Sequence, residues 1–265
     1  MTTTEQHRRP VGELLRRWRG HRRLSQFALA LESGISARHL SFVENGRSEP
    51  SRETLLRLAE ELDLPLRERN HLLLAAGYAP VYSEAALDSP EMSAVREAVR
   101  QVLTGHEPYP AVVVDRNWNL VDANAGVALL TEGVDEELLA PPANVLRVSL
   151  HPDGMAPRIS NLGEWREHLL GRLRRQVSLT AEPELVHLLA EVRAYPCEQP
   201  EPESDVPGPG DIVVPLRIYH DGRELSFFST VATFGTPLDV TVAELVIESF
   251  FPADPETASV LNDGK

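Results

Sequence analysis

Residues 25–51, SQFALALESGISARHLSFVENGRSEPS, constrain this 265-residue chain more than any other stretch. Two short runs with helical spacing of apolar residues flank a glycine. Leu29, Ala30, Ile35, Leu40 and Val43 are the positions that would lock two such helices together. Ser25 and Ser36 stand where a hydroxyl can satisfy a free amide of each first turn. Gly34 falls where the turn needs a backbone without a Cβ penalty, and Gly46 ends the second helix. The layout is a helix-turn-helix, whose second helix lies in the DNA major groove.

Hydrophobic periodicity extends this to five helices, over 11–22, 25–32, 36–44, 51–62 and 66–76. Val11, Leu14, Leu15 and Trp18 give the first its stripe; Leu55, Leu58, Ala59 and Leu62 give the fourth. Ser36, Ala37, Arg38, His39, Ser41 and Phe42 occupy or border the leading face of the third helix. An arginine fork there matches guanine O6 and N7. Phe42 suits either a thymine methyl or the core. Asn45 and Arg47, at the helix end, suit phosphate. His39 has no Cys or His at ligand spacing, so no metal site is expected there.

Residues 11–78 resemble the XRE (Cro and phage-repressor) family. The pattern S/T-Q-x-x-L-A-x-x-x-G-V/I-S, then x-x-x-I/L-S-x-x-E-x-G-R-x-x-P-S, is matched by Ser25, Gln26, Leu29, Ala30, Gly34, Ile35, Ser36, Leu40, Ser41, Glu44, Gly46, Arg47, Pro50 and Ser51. The resemblance implies an all-α five-helix domain, a phosphate contact for Gln26 and a structural role for Glu44. Phe27 and Leu31 depart from the pattern, which usually carries polar residues there. They are expected to pack against something outside this domain.

Charge separates the chain into two parts. The whole carries −14, but residues 1–80 hold thirteen arginines against ten acids, a net +3, while residues 81–265 carry −17. Arg8, Arg9, Arg16, Arg17, Arg19, Arg22 and Arg23 gather at the first helix and the arm before it. This is the footprint expected of a DNA-facing edge. One cysteine, Cys197, excludes a disulfide framework within one chain. With no apolar leader and no run of 18 apolar residues, a cytoplasmic location without membrane insertion is expected.

The reading divides the chain into a DNA-binding domain at 1–80, a linker at 81–90, a second domain at 91–252 and a flexible tail at 253–265. A helix is expected over 89–104. Strands 111–115 and 119–124 flank Arg116-Asn117-Trp118 as a hairpin, and helix resumes at 123–130. Two longer helices follow, over 161–178 and 182–193. Residues 197–211 form a proline- and acid-rich loop, and strands are expected at 211–220, 223–235 and 238–251. Asp221-Gly222 signals a hairpin turn, and Pro215 an edge or a bulge. The fold class is α+β: a helical head, then a PAS-type domain with an antiparallel sheet.

Alternation puts Ile212, Val214, Leu216 and Ile218 on one strand face, and Leu225, Phe227, Ser229 and Val231 on the next. Trp118, Leu120, Leu129 and Leu130 are placed to close a cavity, and Arg147 and Arg158 are the cations offered to an anionic ligand. His151, His168, His187 and Cys197 are too irregularly spaced for a metal or redox centre.

Residues 91–251 resemble the ligand-binding domain of MmyB-like regulators, chiefly through D-R-N-W-N-L-V-D-A-N and N-V-L-R at 144–147. That resemblance implies a hydrophobic pocket for a fatty acid or similar ligand. The resulting expectation is a regulator, with repression the expected mode. It binds a near-palindromic operator in double-stranded DNA as a homodimer and responds to a hydrophobic effector. The alternative is a DNA-bound protein whose second domain takes a protein partner. No phosphate loop, nucleophile elbow or metal pattern appears, so neither an enzyme nor a cofactor is expected.

Overall fold

The computed structural model describes residues 11–180, 182–199 and 213–263. Arg8, Arg9, Ile212 and most of the 197–211 loop lie outside them. Two compact units emerge, one of residues 1–87 with 235–243, the other of residues 88–234 with 244–265.

The first unit holds α1 (Val11–His21), α2 (Gln26–Glu32), α3 (Ala37–Glu44), α4 (Arg52–Glu61) and α5 (Leu66–Ala75). All five fall where periodicity put them. Ser25 Oγ accepts from Ala28 N at 3.0 Å, Ser36 Oγ from His39 N at 3.1 Å, and Ser51 Oγ from Thr54 N at 3.2 Å. Each serine satisfies a first-turn amide that has no partner inside its helix. Gly34 (φ 64°) makes the turn between α2 and α3, and Gly46 (φ 69°) terminates α3. Leu15, Trp18, Leu29, Leu40, Val43, Leu55 and Leu58 form one buried cluster. α1 crosses α3 at Gly12, whose missing Cβ would lie 2.5 Å from the Val43 carbonyl oxygen.

The second unit begins with α6 (Ser93–Gly105), β1 (Ala111–Val114) and β2 (Leu120–Ala123). Next come α7 (Val127–Leu130), α8 (Glu136–Leu139), α9 (Val145–Leu150), α10 (Leu162–Thr180) and α11 (Pro183–Ala194). β3 (Leu216–His220) and β4 (Arg223–Thr233) follow. The chain then supplies α12 (Val240–Ala243) to the first unit. There Asp239 accepts from Ser83 Oγ at 2.5 Å and from Ala85 N at 3.1 Å. β5 (Val246–Pro252) and α13 (Pro255–Asp263) complete the second unit.

Five antiparallel strands form one sheet in the order β2-β1-β5-β4-β3. β3 is therefore an edge, consistent with Pro215 immediately before it. Asp221 (φ 48°) and Gly222 (φ 74°) make the two-residue turn into β4. β3 alternates as expected, with Leu216 and Ile218 buried and Val213, Arg217 and Tyr219 exposed.

Three expectations change. Residues 238–245 are not strand: Asp239 accepts from Thr241 N at 2.8 Å and starts a helical turn. The tail expected at 253–265 carries α13, which packs on β4 and β5 with Thr257 and Leu261 buried. Asp254 opens that helix by accepting from Thr257 N at 2.7 Å. Val231 is 51% exposed rather than inward-facing. Its parity matches Phe227, but the layer that covers the first half of β4 does not reach the second, where residues 230–233 are all exposed.

Candidate functional site

The head presents α3. Ser36, Arg38, Asn45 and Arg47 are exposed, while Ala37, His39, Ser41 and Phe42 are half-buried. Arg38 lies over the Phe42 ring, 5.3 Å from guanidinium carbon to centroid. That contact orders the arginine and uses Phe42 as its platform, a use neither sequence reading of Phe42 included. Asn45 closes α3: its Nδ2 donates to the Ser41 carbonyl at 2.7 Å, and its Oδ1 accepts from Arg16 Nη2 at 2.7 Å.

Behind this surface sits a polar cluster centred on Glu44, whose side chain is fully buried. Arg19 donates Nε to Oε1 at 2.7 Å and Nη2 to Oε2 at 2.9 Å. Gln26 Nε2 also donates to Oε2 at 2.7 Å. Burial alone would raise the Glu44 carboxyl, but the bonds from Arg19 and Gln26 and the nearby arginine charges bring it below the usual range. Arg19 is raised by the same pairing. Gln26 is thus fixed at the start of α2.

The arginine-rich first helix is not the free cationic edge expected of it. Arg16 bonds the Glu44 carbonyl and Asn45, and Arg19 bonds Glu44. Arg17 lies 3.8 Å from Glu68, and Arg22 bonds the Leu62 and Asp63 carbonyls. The physical reason lies in the tertiary packing of the head: helix C-termini and buried carboxylates need cations, and Arg16, Arg17, Arg19 and Arg22 supply them. Arg23, Arg38 and Arg47 are the exposed arginines of 21–50. Phe27 and Leu31, one helical turn apart on α2, are about 70% exposed.

In the second unit the two motifs that carried the family resemblance meet. Asp115 Oδ1 accepts from Asn117 N and Asn119 N, both at 2.8 Å, and pins the hairpin turn. Asn144 caps α9 at Leu146 N (3.2 Å) and donates Nδ2 to the Asn117 carbonyl at 2.8 Å. Trp118 (φ 66°) takes the left-handed conformation at the turn, and its Nε1 donates to Gln176 Oε1 at 2.7 Å. This bonding aims the indole inward.

It faces an apolar cavity of about 90 Å³ lined by Val112, Trp118, Leu120, Leu146, Trp165, Leu216 and Phe250, among others. Of the residues proposed for the ligand, Trp118, Leu120 and Leu216 line it. Ile218 and Phe227 are fully buried core that does not reach it, and Leu129 packs beside the core. Arg147 lines a different, mixed cleft of about 420 Å³ with Asn117, Asn119, His187 and Leu188. Its Nε and Nη2 bond Glu191 at 2.8 and 2.9 Å, so its charge is already met. That pairing, with a bond from Tyr195, holds Glu191 at about 2, while burial and Glu191 push Tyr195 up to about 12. Arg158 bonds the Leu129 and Leu130 carbonyls and Glu132 instead of facing the cavity.

The charged residue that does border the cavity, Glu248, was missed. Glu248, 6% exposed, accepts from Arg172 Nη1 on both oxygens at 3.0 Å and from Ser229 Oγ at 2.8 Å. Arg172 in turn lies 4.8 Å from the Trp118 ring centroid. A lone acid inside the apolar run LVIESFF was the available signal. Among the described residues one histidine–carboxylate group, Glu132, His220 and Asp221, is close enough to hold a metal. Its His220 meets the two acids through different ring nitrogens, and Arg158 shares Glu132, which is an ion-pair network. No helix among the described residues is long and apolar enough to cross a membrane.

Comparison with known proteins follows this division. Residues 15–69 match the family described as Helix-turn-helix. An uncharacterized HTH-type transcriptional regulator, RghRB of Bacillus subtilis (strain 168), is 31% identical over 111 residues, covering 41% of this chain and 78% of that protein. Among solved structures, the restriction-modification controller protein C.AhdI from Aeromonas hydrophila is 37% identical over 22% of this chain and 89% of its own, with a TM-score of 0.22. The clp gene regulator ClgR from Corynebacterium glutamicum is 27% identical over 38% of this chain and 94% of its own, with a TM-score of 0.23. Residues 95–263 match the MmyB-like transcription regulator ligand binding domain. The chain is a transcriptional regulator with a helix-turn-helix head, and it belongs to the MmyB-like family.

Proposed function

We propose that this regulator binds a near-palindromic operator as a homodimer, and that an apolar small molecule in the second unit sets its DNA affinity. The observation that carries the effector part is the cavity itself: a partly open space with an almost wholly apolar lining, on the same chain as an exposed α3. A single head offers few base contacts, so two recognition helices about 34 Å apart are needed for a tight complex. The effector acts by binding one dimer geometry better than another. Repression is the proposed mode, since occupancy of a promoter excludes other proteins without further contacts. The sheet order β2-β1-β5-β4-β3 supports the PAS-like reading. No catalytic role is proposed.

A fatty acid belongs to the effector class by its chain. The size of the cavity restricts it, however. About 90 Å³ is smaller than the roughly 150 Å³ apolar cavity that accepts benzene. A long acyl chain therefore requires the walls to move apart. The same small volume favours the second reading, in which this unit binds a protein partner. Selection of DNA from a random pool by the purified chain, followed by sedimentation of the complex, tests the DNA part: two chains per site and an inverted repeat are expected. Native and then denaturing mass spectrometry tests the effector part. A stoichiometric co-purified lipid supports it; an empty protein that no alkyl compound stabilises favours the partner.

A further inference from the structure

We infer that Phe42 sets the base selectivity of the head without touching a base: it holds the Arg38 fork in the orientation that reads one guanine per bound head. This rests on the reading of α3 as the DNA-facing helix. It adds which base that helix selects and which residue enforces the choice.

Residues 38 and 42 stand one turn apart on the same face of α3. Helix side chains lean toward the N-terminus, so the Phe42 ring projects back over the turn that carries Arg38. Ser36 fixes that turn by accepting from His39 N at 3.1 Å. The guanidinium carbon lies 5.3 Å from the ring centroid, within cation–π range. Phe42 is half-buried, yet it is not among the residues packed against the apolar cluster of the head. Its ring therefore serves the cation rather than the core.

Arg38 is free to use its hydrogens on DNA. Arg16, Arg19 and Arg22 donate to groups within the head. Among the described residues Arg38 has no carboxylate or carbonyl partner. Guanine shows O6 and N7 to the major groove, two acceptors that a planar fork meets together, and no other base offers that pair. An arginine that rotates freely also reaches a phosphate or a lone acceptor on another base, since a point contact tolerates many orientations. Holding Arg38 on the ring before binding removes that latitude and lowers the entropy lost when the fork docks. Selectivity for guanine thus gains more than affinity for DNA in general. Phe42 acts here as a positioning residue.

The test measures binding of the full chain to a DNA site selected by the wild-type protein, to that site with each base pair exchanged in turn, and to random-sequence DNA. Arg38→Ala is expected to erase discrimination at one G·C pair. Phe42→Leu keeps an apolar helix former and removes the π face. It is expected to lower discrimination at that same pair by about two- to five-fold, the strength of an exposed cation–π contact, and to leave random-sequence binding and its salt slope unchanged. Phe42→Tyr, which keeps the ring, is expected to retain the wild-type ratio. In the Arg38→Ala background, Phe42→Leu is expected to change nothing further. A partly unfolded variant binds all DNA less and leaves the ratio between sites standing; Phe42→Met replaces Phe42→Leu where the latter does not fold. Unchanged discrimination at every pair in Arg38→Ala overturns the assigned face of α3, and the inference with it. A loss at an A·T pair in Arg38→Ala, or an untouched G·C pair in Phe42→Leu, overturns the inference alone. So does a thymine whose exchange for deoxyuridine weakens the wild-type protein but not Phe42→Leu, because the ring then meets a methyl group itself.

Discussion

Glu44 and Glu248 are both buried carboxylates paired with an arginine, one in each unit, yet they do different work. Glu44 is fully buried, with Arg19 bidentate and Gln26 beside it. It ties α1, α2 and α3 together behind the exposed face of α3. Glu248 spans β5 and α10 through Arg172 and borders open space. The difference shows that a buried ion pair says little by its chemistry alone. What it adjoins decides whether it can do more than organise a fold. Buried pairs are rarely net stabilisers relative to apolar packing, so both call for a reason beyond stability.

The largest expected effect sharpens that contrast. Glu44→Ala leaves Arg19 buried without its partner and should cost about 3–5 kcal/mol. Hydrogen exchange should show α1–α3 opening and DNA binding lost, while the sheet of the second unit keeps its protection. Loss of protection in both units would break the contrast. Gly12→Ala comes next. A Cβ there meets the Val43 and Glu44 carbonyl oxygens at 2.5 and 2.7 Å, so α1 must shift, at about 1–3 kcal/mol. The same exchange experiment reads it, with the effect confined to the head.

Arg38→Ala should cost about 1–3 kcal/mol of operator binding and relax base preference at one position per half-site. Arg47→Ala should weaken binding evenly across sequences and lower the salt slope by about one. Unchanged discrimination in Arg38→Ala would mean that a different face of α3 reads the bases.

The smallest effect concerns acid. Glu191 is held at about 2, below its ordinary 4.5, chiefly by Arg147. Its contribution to stability is fully present above about 4.5 and disappears as pH falls through that window toward 2. Glu191→Gln should flatten the acid dependence of exchange in α9 and α11. The pair is part-exposed, so the effect is modest.

Much of the head was legible because its signals are local. Serine caps, two glycines with positive φ and a 3.6-residue stripe lie within a few residues of what they determine. The five helices followed. The fate of the arginines around α1 did not, since whether a cation faces DNA or a protein partner depends on groups 25 to 51 residues away. In the second unit, alternation placed Leu216 and Ile218 inward and Trp118 at the cavity. Alternation reports the side of a strand, not how far the covering layer extends, which is why Val231 came out wrong. Arg147 was chosen as a surface cation that could meet an anion, and it faces Glu191 in another cleft. Glu248 and Arg172 are 76 residues apart, and no short-range pattern joins them.

The central claim is that occupancy of the cavity changes DNA affinity. The most direct test titrates a DNA site selected by the wild-type chain, with and without the C4–C8 alkyl compound that raises its melting temperature most. Wild-type protein is compared with Ala143→Leu, a larger side chain in the cavity lining that fills the space. The account predicts that the compound shifts the wild-type dissociation constant at least five-fold, in either direction, and leaves the cavity-filled variant unmoved. Equal affinities for wild-type protein with and without the bound compound would contradict it.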